Sequence, residues 1–415
     1  MELDAGETLA LGAGNIYRQA AASADRHTHV IYADDDLGAK EKPHFKSDWN
    51  AELFEHHDYI TGAAIVRCCT SKPAEQLSSK QSASLVAKAL ARTTNEGGTV
   101  THLPHVLHHR RIRSAPRRPQ PQPIPAAIEA TLPSISVIVP TRNRHDLLAT
   151  CLSGLARTNY PRGIEILIID NGSDDPETQA YLASLDPHFA KVMRDDGPFN
   201  FSALNNRAVG CISGKLLCFL NNDIEILEPG WLKTMALQAI REDVGAVGAQ
   251  LLYPDGRIQH AGVVLGIGGG AAHAHRLVQP EEEGYFHRHA LPQFVSAVTA
   301  ACLVVRRDKF LEIGGFDAKN FAVSFNDVDL CLRLTERGWW SVYEPRATLV
   351  HHESVSRGLD RDREGASRLA SELAALQDRW GITPAAQPIF GNPRVTDPFH
   401  HPALSAFSEH FVLHV

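Results

Sequence analysis

Four short polar clusters hold the residue types that metal binding and proton transfer require. The densest is IYADDDLG, where Asp34, Asp35 and Asp36 close an apolar run, and carboxylates so placed are hard-cation ligands. LNNDIEI is less acidic: Asn221 and Asn222 precede Asp223 directly after the apolar KLLCFL. One carboxylate is enough for Mg²⁺ or Mn²⁺ when phosphate oxygens and water supply the remaining ligands. In FNDVDLCLR, Asp327 and Asp329 open an expected helix. Acids there complement the helix dipole, and Asp327 could also take a proton from an attacking hydroxyl. His351 and His352 follow an expected strand, where neighbours face opposite sides, so at most one of them can join Asp223 on a metal.

These clusters need elements to carry them. ISVIVP (135–140), EILIID (165–170) and KLLCFL (215–220) read as buried strands, with amphipathic helices over 144–157 and 176–185 and from 200 to a stop at Gly214. A short strand is expected at 191–194, two strands around a Pro-Asp-Gly turn over 244–266, and one strand over 295–307. Helices follow over 325–338 and 362–380. The alternation predicts an α/β fold with a doubly wound, mostly parallel sheet, which binds ligands beyond the carboxyl ends of its strands. PTRNR, DNGSDD and NNDIE all fall at such ends.

The chain has 415 residues, a formal net charge of −7, 43% hydrophobic and 21% charged residues, which suits a globular protein of two to three domains and argues against a nucleic-acid partner. Seven cysteines without a spacing pattern, an acidic N-terminus and no apolar run near the ~18–20 residues of a membrane span predict a cytoplasmic protein. RRIRSAPRRPQPQPIPAAIEATLP (110–133), with five arginines and six prolines, reads as an extended linker. Arg110, Arg111, Arg113, Arg117 and Arg118 alternatively meet an anionic lipid or acceptor, a peripheral membrane contact. The division is then a module over 1–109, the linker, a main domain over 134–400 and a tail over 401–415. His273 and His275 lack a nearby third zinc ligand, GIGGG lacks dinucleotide-loop spacing, and TRNRHD after the first strand is no nucleotidyltransferase phosphate loop.

Taken in order, PTRNR, IIDNGSDD, PFNFSALNNRAV, FLNNDIEI, TAACLVVRR, GGFD, FNDVDLCLR and HHESVSRG resemble family 2 glycosyltransferases of GT-A fold, in the rhamnosyltransferase-like and O-antigen-type branch. The resemblance implies a nucleotide pocket lined by Pro140, Thr141 and Arg142, with Asp170 on the base and Asn171 beside it. It implies Asn205 or Asn206 near the nucleotide or ribose. Asn221, Asn222 and Asp223 match the family's DxD motif, with Asp223 as principal ligand of Mg²⁺ or Mn²⁺. Asp327 matches the catalytic base and His351 or His352 the downstream metal-binding histidine. Asn221 replaces an acid and Asn326 a glutamate, which leaves the metal shell one charge poorer.

The implied reaction is an inverting transfer of rhamnose or another hexose from a nucleoside-diphosphate sugar to a hydroxyl of a growing bacterial surface glycan, free or lipid-linked. The alternative is an inactive nucleotide-sugar-binding scaffold of a polysaccharide assembly. IYADDDLG and the residues after it resemble the middle of a second such domain, and VTHLPHVLHHRR echoes VYEPRATLVHHES. No counterpart of PTRNR or DNGSDD precedes Asp34, so the first module is expected to be partial and inactive, structural or acceptor-binding, with Asp34–Asp36 capping a strand and the metal at Asp223.

Overall fold

The computed structural model describes residues 6–38, 41–67, 85–91, 93, 97–120, 123–352, 363–382 and 399. Two compact units emerge, Met1–Arg117 with Pro398–Ala406, and Arg118–Asp397 with Phe407–Val415. The division falls inside the stretch read as a linker. The expected tail over 401–415 and the ESVSRG part of the histidine motif lie outside the described residues.

The first unit contains β1 (Thr8–Leu9), α1 (Ala13–Ser23), β2 (Thr28–Leu37), β3 (Glu41–His44), α2 (Ala51–His56), β4 (Ala64–Val66) and β5 (Thr99–Arg110). Its sheet runs β1-β5-β2-β3, with β4 also on β2, and β2 lies parallel to β5. Ala13 and Tyr17 of α1 pack on Ile31, Ala33 and Leu107. The three aspartates do not cap β2, as the sequence suggested; they lie within it and are buried. The strand can carry them because cations arrive from its neighbours. Lys46 Nζ sits 2.7 Å from Asp35, and Arg113 Nε pairs with the same carboxylate. The Lys46 N–H donates to Asp34 (2.9 Å), whose carboxylate also meets His102 Nε2 at 2.9 Å. His109 Nδ1 lies 2.8 Å from Asp36. Burial opposes the charge on Asp35, yet Lys46, His44 and Arg113 hold its carboxyl well below the usual range. Arg110 and Arg113 are therefore drawn into this unit rather than presented to a lipid, which corrects that alternative for these two residues.

The second unit begins its sheet with β6 (Ile135–Thr141), then α3 (His145–Arg157), β7 (Ile164–Asp170), α4 (Pro176–Ser184), β8 (Lys191–Arg194), α5 (Phe201–Val209) and β9 (Leu216–Leu220). β10 (Ile224–Ile226), α6 (Trp231–Ala239), β11 (Val244–Leu252), β12 (Ile258–His260), β13 (Val263–Leu265) and β14 (Ala271–His273) follow. The chain continues through β15 (Gln293–Val295), β16 (Cys302–Arg306), α7 (Arg307–Glu312), α8 (Asn326–Glu336), β17 (Trp340–His351) and α9 (Arg363–Trp380). Strands order as β10-β17-β11-β16-β9-β6-β7-β8. The α/β expectation holds, and the block β9-β6-β7-β8 is parallel throughout. Beyond it the sheet is mixed: β16 is antiparallel to both β9 and β11, while β11 and β17 are parallel.

Hydrophobic runs explain this layering. β6, β7 and β9 bury nearly every side chain because helices cover the sheet, and α3 closes on it through Leu148, Cys151, Leu152 and Leu155. Three elements differ from the sequence reading, the first being 244–266, which holds three strands, β11, β12 and β13, rather than two. α5 stops at Val209, five residues before Gly214, which is instead where the chain squeezes past β6: a Cβ there would lie 2.5 Å from the Ser136 nitrogen. The single strand expected over 295–307 is two strands, β15 and β16, separated by the turn 296–301.

Candidate active site

Because β6, β7 and β8 run in register, their last residues, Thr141, Asp170 and Arg194, share one edge of the sheet, with Leu220 at the end of β9. The polar loops after these ends are bonded to one another. Asn222 Nδ2 donates to Thr141 Oγ1 (2.9 Å), tying the loop after β9 to the end of β6. The Asn171 N–H donates to the Thr141 carbonyl (2.8 Å), and its side-chain amide donates to the carbonyls of Asp195 (3.0 Å) and Gly197 (2.9 Å). Asp170 accepts from the Ser173 N–H (3.0 Å) and pairs with Arg194 (2.6 Å).

Pro140 is half-buried and Arg142 is exposed, so only the latter is free of the strand's packing. Asn143 and Arg144 both take the left-handed backbone conformation (φ 53° and 56°), and the turn is held by the Asn143 N–H on Ser173 Oγ (2.8 Å). Arg144 went unnoticed in the sequence. Its hydrogen bond to Asp146, and behind it the negative charge of Asp223, raise its pKa, so it lies within electrostatic reach of Asp223.

β10 pairs antiparallel with the end of β17, Ile224 opposite His351, and this register decides which histidine meets Asp223. His351 Nε2 lies 3.1 Å from Asp223 Oδ1, and both residues are buried. Asn221 Nδ2 is 3.5 Å from the same ring nitrogen. His352 turns the other way, toward Glu225 (3.1 Å), and only its N–H reaches Asp223, at the main-chain carbonyl (3.0 Å). His351 Nδ1 in turn faces Gln259 Oε1 at 2.9 Å. A carboxylate oxygen beside an imidazole nitrogen whose other nitrogen is hydrogen-bonded is a donor set that fits Mg²⁺ or Mn²⁺. Among the described residues no three His, Cys, Asp or Glu side chains converge as a metal shell, so phosphate and water would have to complete it.

Asp327 lies in the first turn of α8, entered through Phe325 at φ 57°. The Ala300 N–H donates to Asp327 Oδ2 (3.0 Å) and the Val328 N–H to Oδ1 (2.8 Å). Next along the turn, the Ala301 carbonyl accepts the Asn221 N–H (2.9 Å). One tripeptide, Thr299–Ala301, therefore anchors the acid of α8 and the polar loop after β9. Asp327 stays half-buried, whereas Asp329 is sealed in and bonded to Arg333 (2.8 Å), Arg379 (2.7 Å) and Trp380 Nε1 (3.1 Å). Those partners fasten α9 onto α8.

Asn205 and Asn206 do not share a role. Asn206 is used entirely on the GGFD turn, donating to the Phe316 carbonyl (2.8 Å) and accepting from its N–H (3.0 Å). Asn205 is buried inside α5, its amide on the Phe201 carbonyl (2.8 Å). Asn206 is thus engaged with the GGFD turn, while the Asn205 side-chain oxygen has no hydrogen-bond partner among the described residues. His273 Nδ1 bonds the Gln259 carbonyl (3.0 Å), and GIGGG closes the β13–β14 hairpin.

Residues 136–314 match the family model described as glycosyl transferase family 2. That stretch of the second unit is a family 2 glycosyltransferase segment. An uncharacterised protein of Sinorhizobium fredii is 36% identical over 413 residues, spanning 88% of this chain and 45% of that protein. The O-antigen biosynthesis protein RfbC of Myxococcus xanthus is 34% identical over 417 residues, 91% of this chain and 31% of its own. The N-acetylglucosaminyl-diphospho-decaprenol L-rhamnosyltransferase of Mycobacterium tuberculosis is 29% identical over 240 residues, 52% and 76% of the two chains. The chain thus spans less than half the length of the first two relatives. No described helix is long and apolar enough to cross a membrane.

Proposed function

We propose that the second unit transfers a sugar, rhamnose or another hexose, from a nucleoside-diphosphate donor to a hydroxyl of a bacterial surface glycan, with inversion at the anomeric carbon. The observation that carries this reading is the pairing of Asp223 with His351 at 3.1 Å, on the same turn-linked edge as Asp327. The loops after β6, β7 and β8 receive the nucleotide, and Arg144 stands near the diphosphate end. Asp223 and His351 would hold Mg²⁺ or Mn²⁺, which supplies Lewis-acid stabilisation of charge on a leaving diphosphate. Asp327, its two oxygens oriented by the Ala300 and Val328 N–H groups, takes the proton of the acceptor hydroxyl. That oxygen bonds to the anomeric carbon, the bond to the diphosphate oxygen breaks, and the electron pair leaves with the nucleoside diphosphate.

The acceptor fits a free or lipid-linked glycan, a reading supported by the similarity to RfbC, an O-antigen biosynthesis protein, and to the mycobacterial N-acetylglucosaminyl-diphospho-decaprenol rhamnosyltransferase. Work at the cytoplasmic face of the membrane follows from a nucleotide donor, and the first unit serves as a structural or acceptor-binding module. Equilibrium binding of UDP, GDP and dTDP with and without Mn²⁺ tests the donor side. Binding should strengthen with Mn²⁺ in the wild type and lose that dependence in Asp223→Ala. Equal Mn²⁺ dependence in the two proteins would move the metal away from Asp223.

A further inference from the structure

We infer that Gln259 is a positioning residue that fixes His351 in the one tautomer able to offer Nε2 to a divalent cation shared with Asp223. The inference rests on the metal reading above and deepens it. Gln259 lies in β12, on the hairpin that folds back on β11 (Leu251 opposite His260), and its side chain is almost completely buried. Its main-chain carbonyl is engaged by His273 Nδ1 at 3.0 Å, so the residue is fixed from both the ladder and the neighbouring ring. The amide oxygen, Oε1, meets His351 Nδ1 at 2.9 Å. An amide oxygen only accepts, so Nδ1 must carry the hydrogen, and in the neutral ring Nε2 is left with its lone pair. That lone pair faces Asp223 Oδ1 at 3.1 Å.

In the neutral ring these two electron-rich atoms need a positive centre between them, and a divalent cation takes the place that a proton on Nε2 otherwise fills. In β12 and β13 together, Gln259 and His260 are the polar residues beside Ile258, Val263, Val264 and Leu265. The geometry is that of an outer-shell acceptor orienting a metal-binding histidine, an arrangement whose removal typically weakens metal affinity about 10–100-fold.

The test is a titration of the full chain with Mn²⁺, following the electron paramagnetic resonance signal of the free ion, in the presence of UDP, GDP or dTDP. Thermal melting of each variant reports folding. Gln259→Leu removes the acceptor and should weaken Mn²⁺ binding about 10–100-fold. Gln259→Glu keeps an acceptor on Nδ1 and should hold binding within a few-fold of wild type, which a purely structural role for the amide would not produce. Gln259→Met replaces the leucine variant if the latter fails to fold. Wild-type affinity in a folded Gln259→Leu or Gln259→Met variant, alongside lost binding in Asp223→Ala, overturns the role of Gln259 and leaves the metal site standing. Equal Mn²⁺ binding by wild type and Asp223→Ala overturns the metal site and this inference together.

Discussion

Asp327 and Asp329 are two residues apart on α8, and exchanging each for asparagine should produce opposite phenotypes. Asp329 receives three donors, two of them guanidinium groups, in a site closed to solvent. Asparagine there removes the counter-charge of Arg333 and one of the two carboxylates on Arg379, which keeps Asp317 (2.6 Å), and breaking a buried pair costs up to about 3–5 kcal/mol. Asp327 is half-buried and accepts two backbone N–H groups. Asparagine can still accept one of these through its oxygen, so about 1–2 kcal/mol of stability is lost. Its amide cannot act as a base, however, and removal of a general base lowers turnover roughly 10²–10⁴-fold. Urea denaturation read by tryptophan fluorescence, together with initial rates on one donor, separates the two effects. Asp327→Asn should melt near wild type and be nearly inactive, and Asp329→Asn should be markedly less stable. Wild-type turnover in a folded Asp327→Asn protein would refute the assignment of the base.

Two further outcomes follow from charged groups away from the site. Burial raises the Glu165 pKa, but donors from Ser213, Ser136 and Lys191 outweigh it and bring the carboxyl from 4.5 down to about 2. A depressed carboxyl contributes stability above its unfolded pKa and loses it as pH falls through the folded one. Wild type should therefore lose stability between about pH 4.5 and 2, and Glu165→Gln should start lower at pH 7 and fall less over that window, as measured by melting at each pH. In the first unit, Asp35→Asn strands the fully buried Lys46 and should cost about 3–5 kcal/mol there while leaving Mn²⁺ affinity unchanged. A loss of Mn²⁺ affinity matching Asp223→Ala would restore the aspartate triplet as a metal site.

How far the sequence reached depended on the range of the forces involved. The parallel block was legible because ISVIVP, EILIID and KLLCFL are apolar throughout, and a strand buried on both faces leaves little choice of class. The polar clusters were findable for the same reason, since each begins where an apolar run stops. What sequence spacing could not supply was register. Whether His351 or His352 faces Asp223 depends on Ile224 lying opposite His351, a pairing of residues more than a hundred positions apart. Gln259 reaches the site through a hairpin register of the same kind, and its only trace was a polar pair among apolar neighbours. The burial of Asp34–Asp36 inside β2, rather than at its end, was not legible, because Lys46, His102, His109 and Arg113 come from other elements to meet them. The bonding of Asn206 to the GGFD turn was not legible because that turn is equally remote in sequence.

The most direct measurement is nucleoside-diphosphate release from a panel of nucleotide sugars by the full chain, with Mn²⁺ or with EDTA. Release should occur with at least one donor, stop with EDTA, return with Mn²⁺, and be lost in both Asp223→Ala and Asp327→Asn. Release that ignores EDTA and survives both substitutions, or no release from any donor under any condition, would contradict a metal-assisted glycosyltransferase built on Asp223, His351 and Asp327.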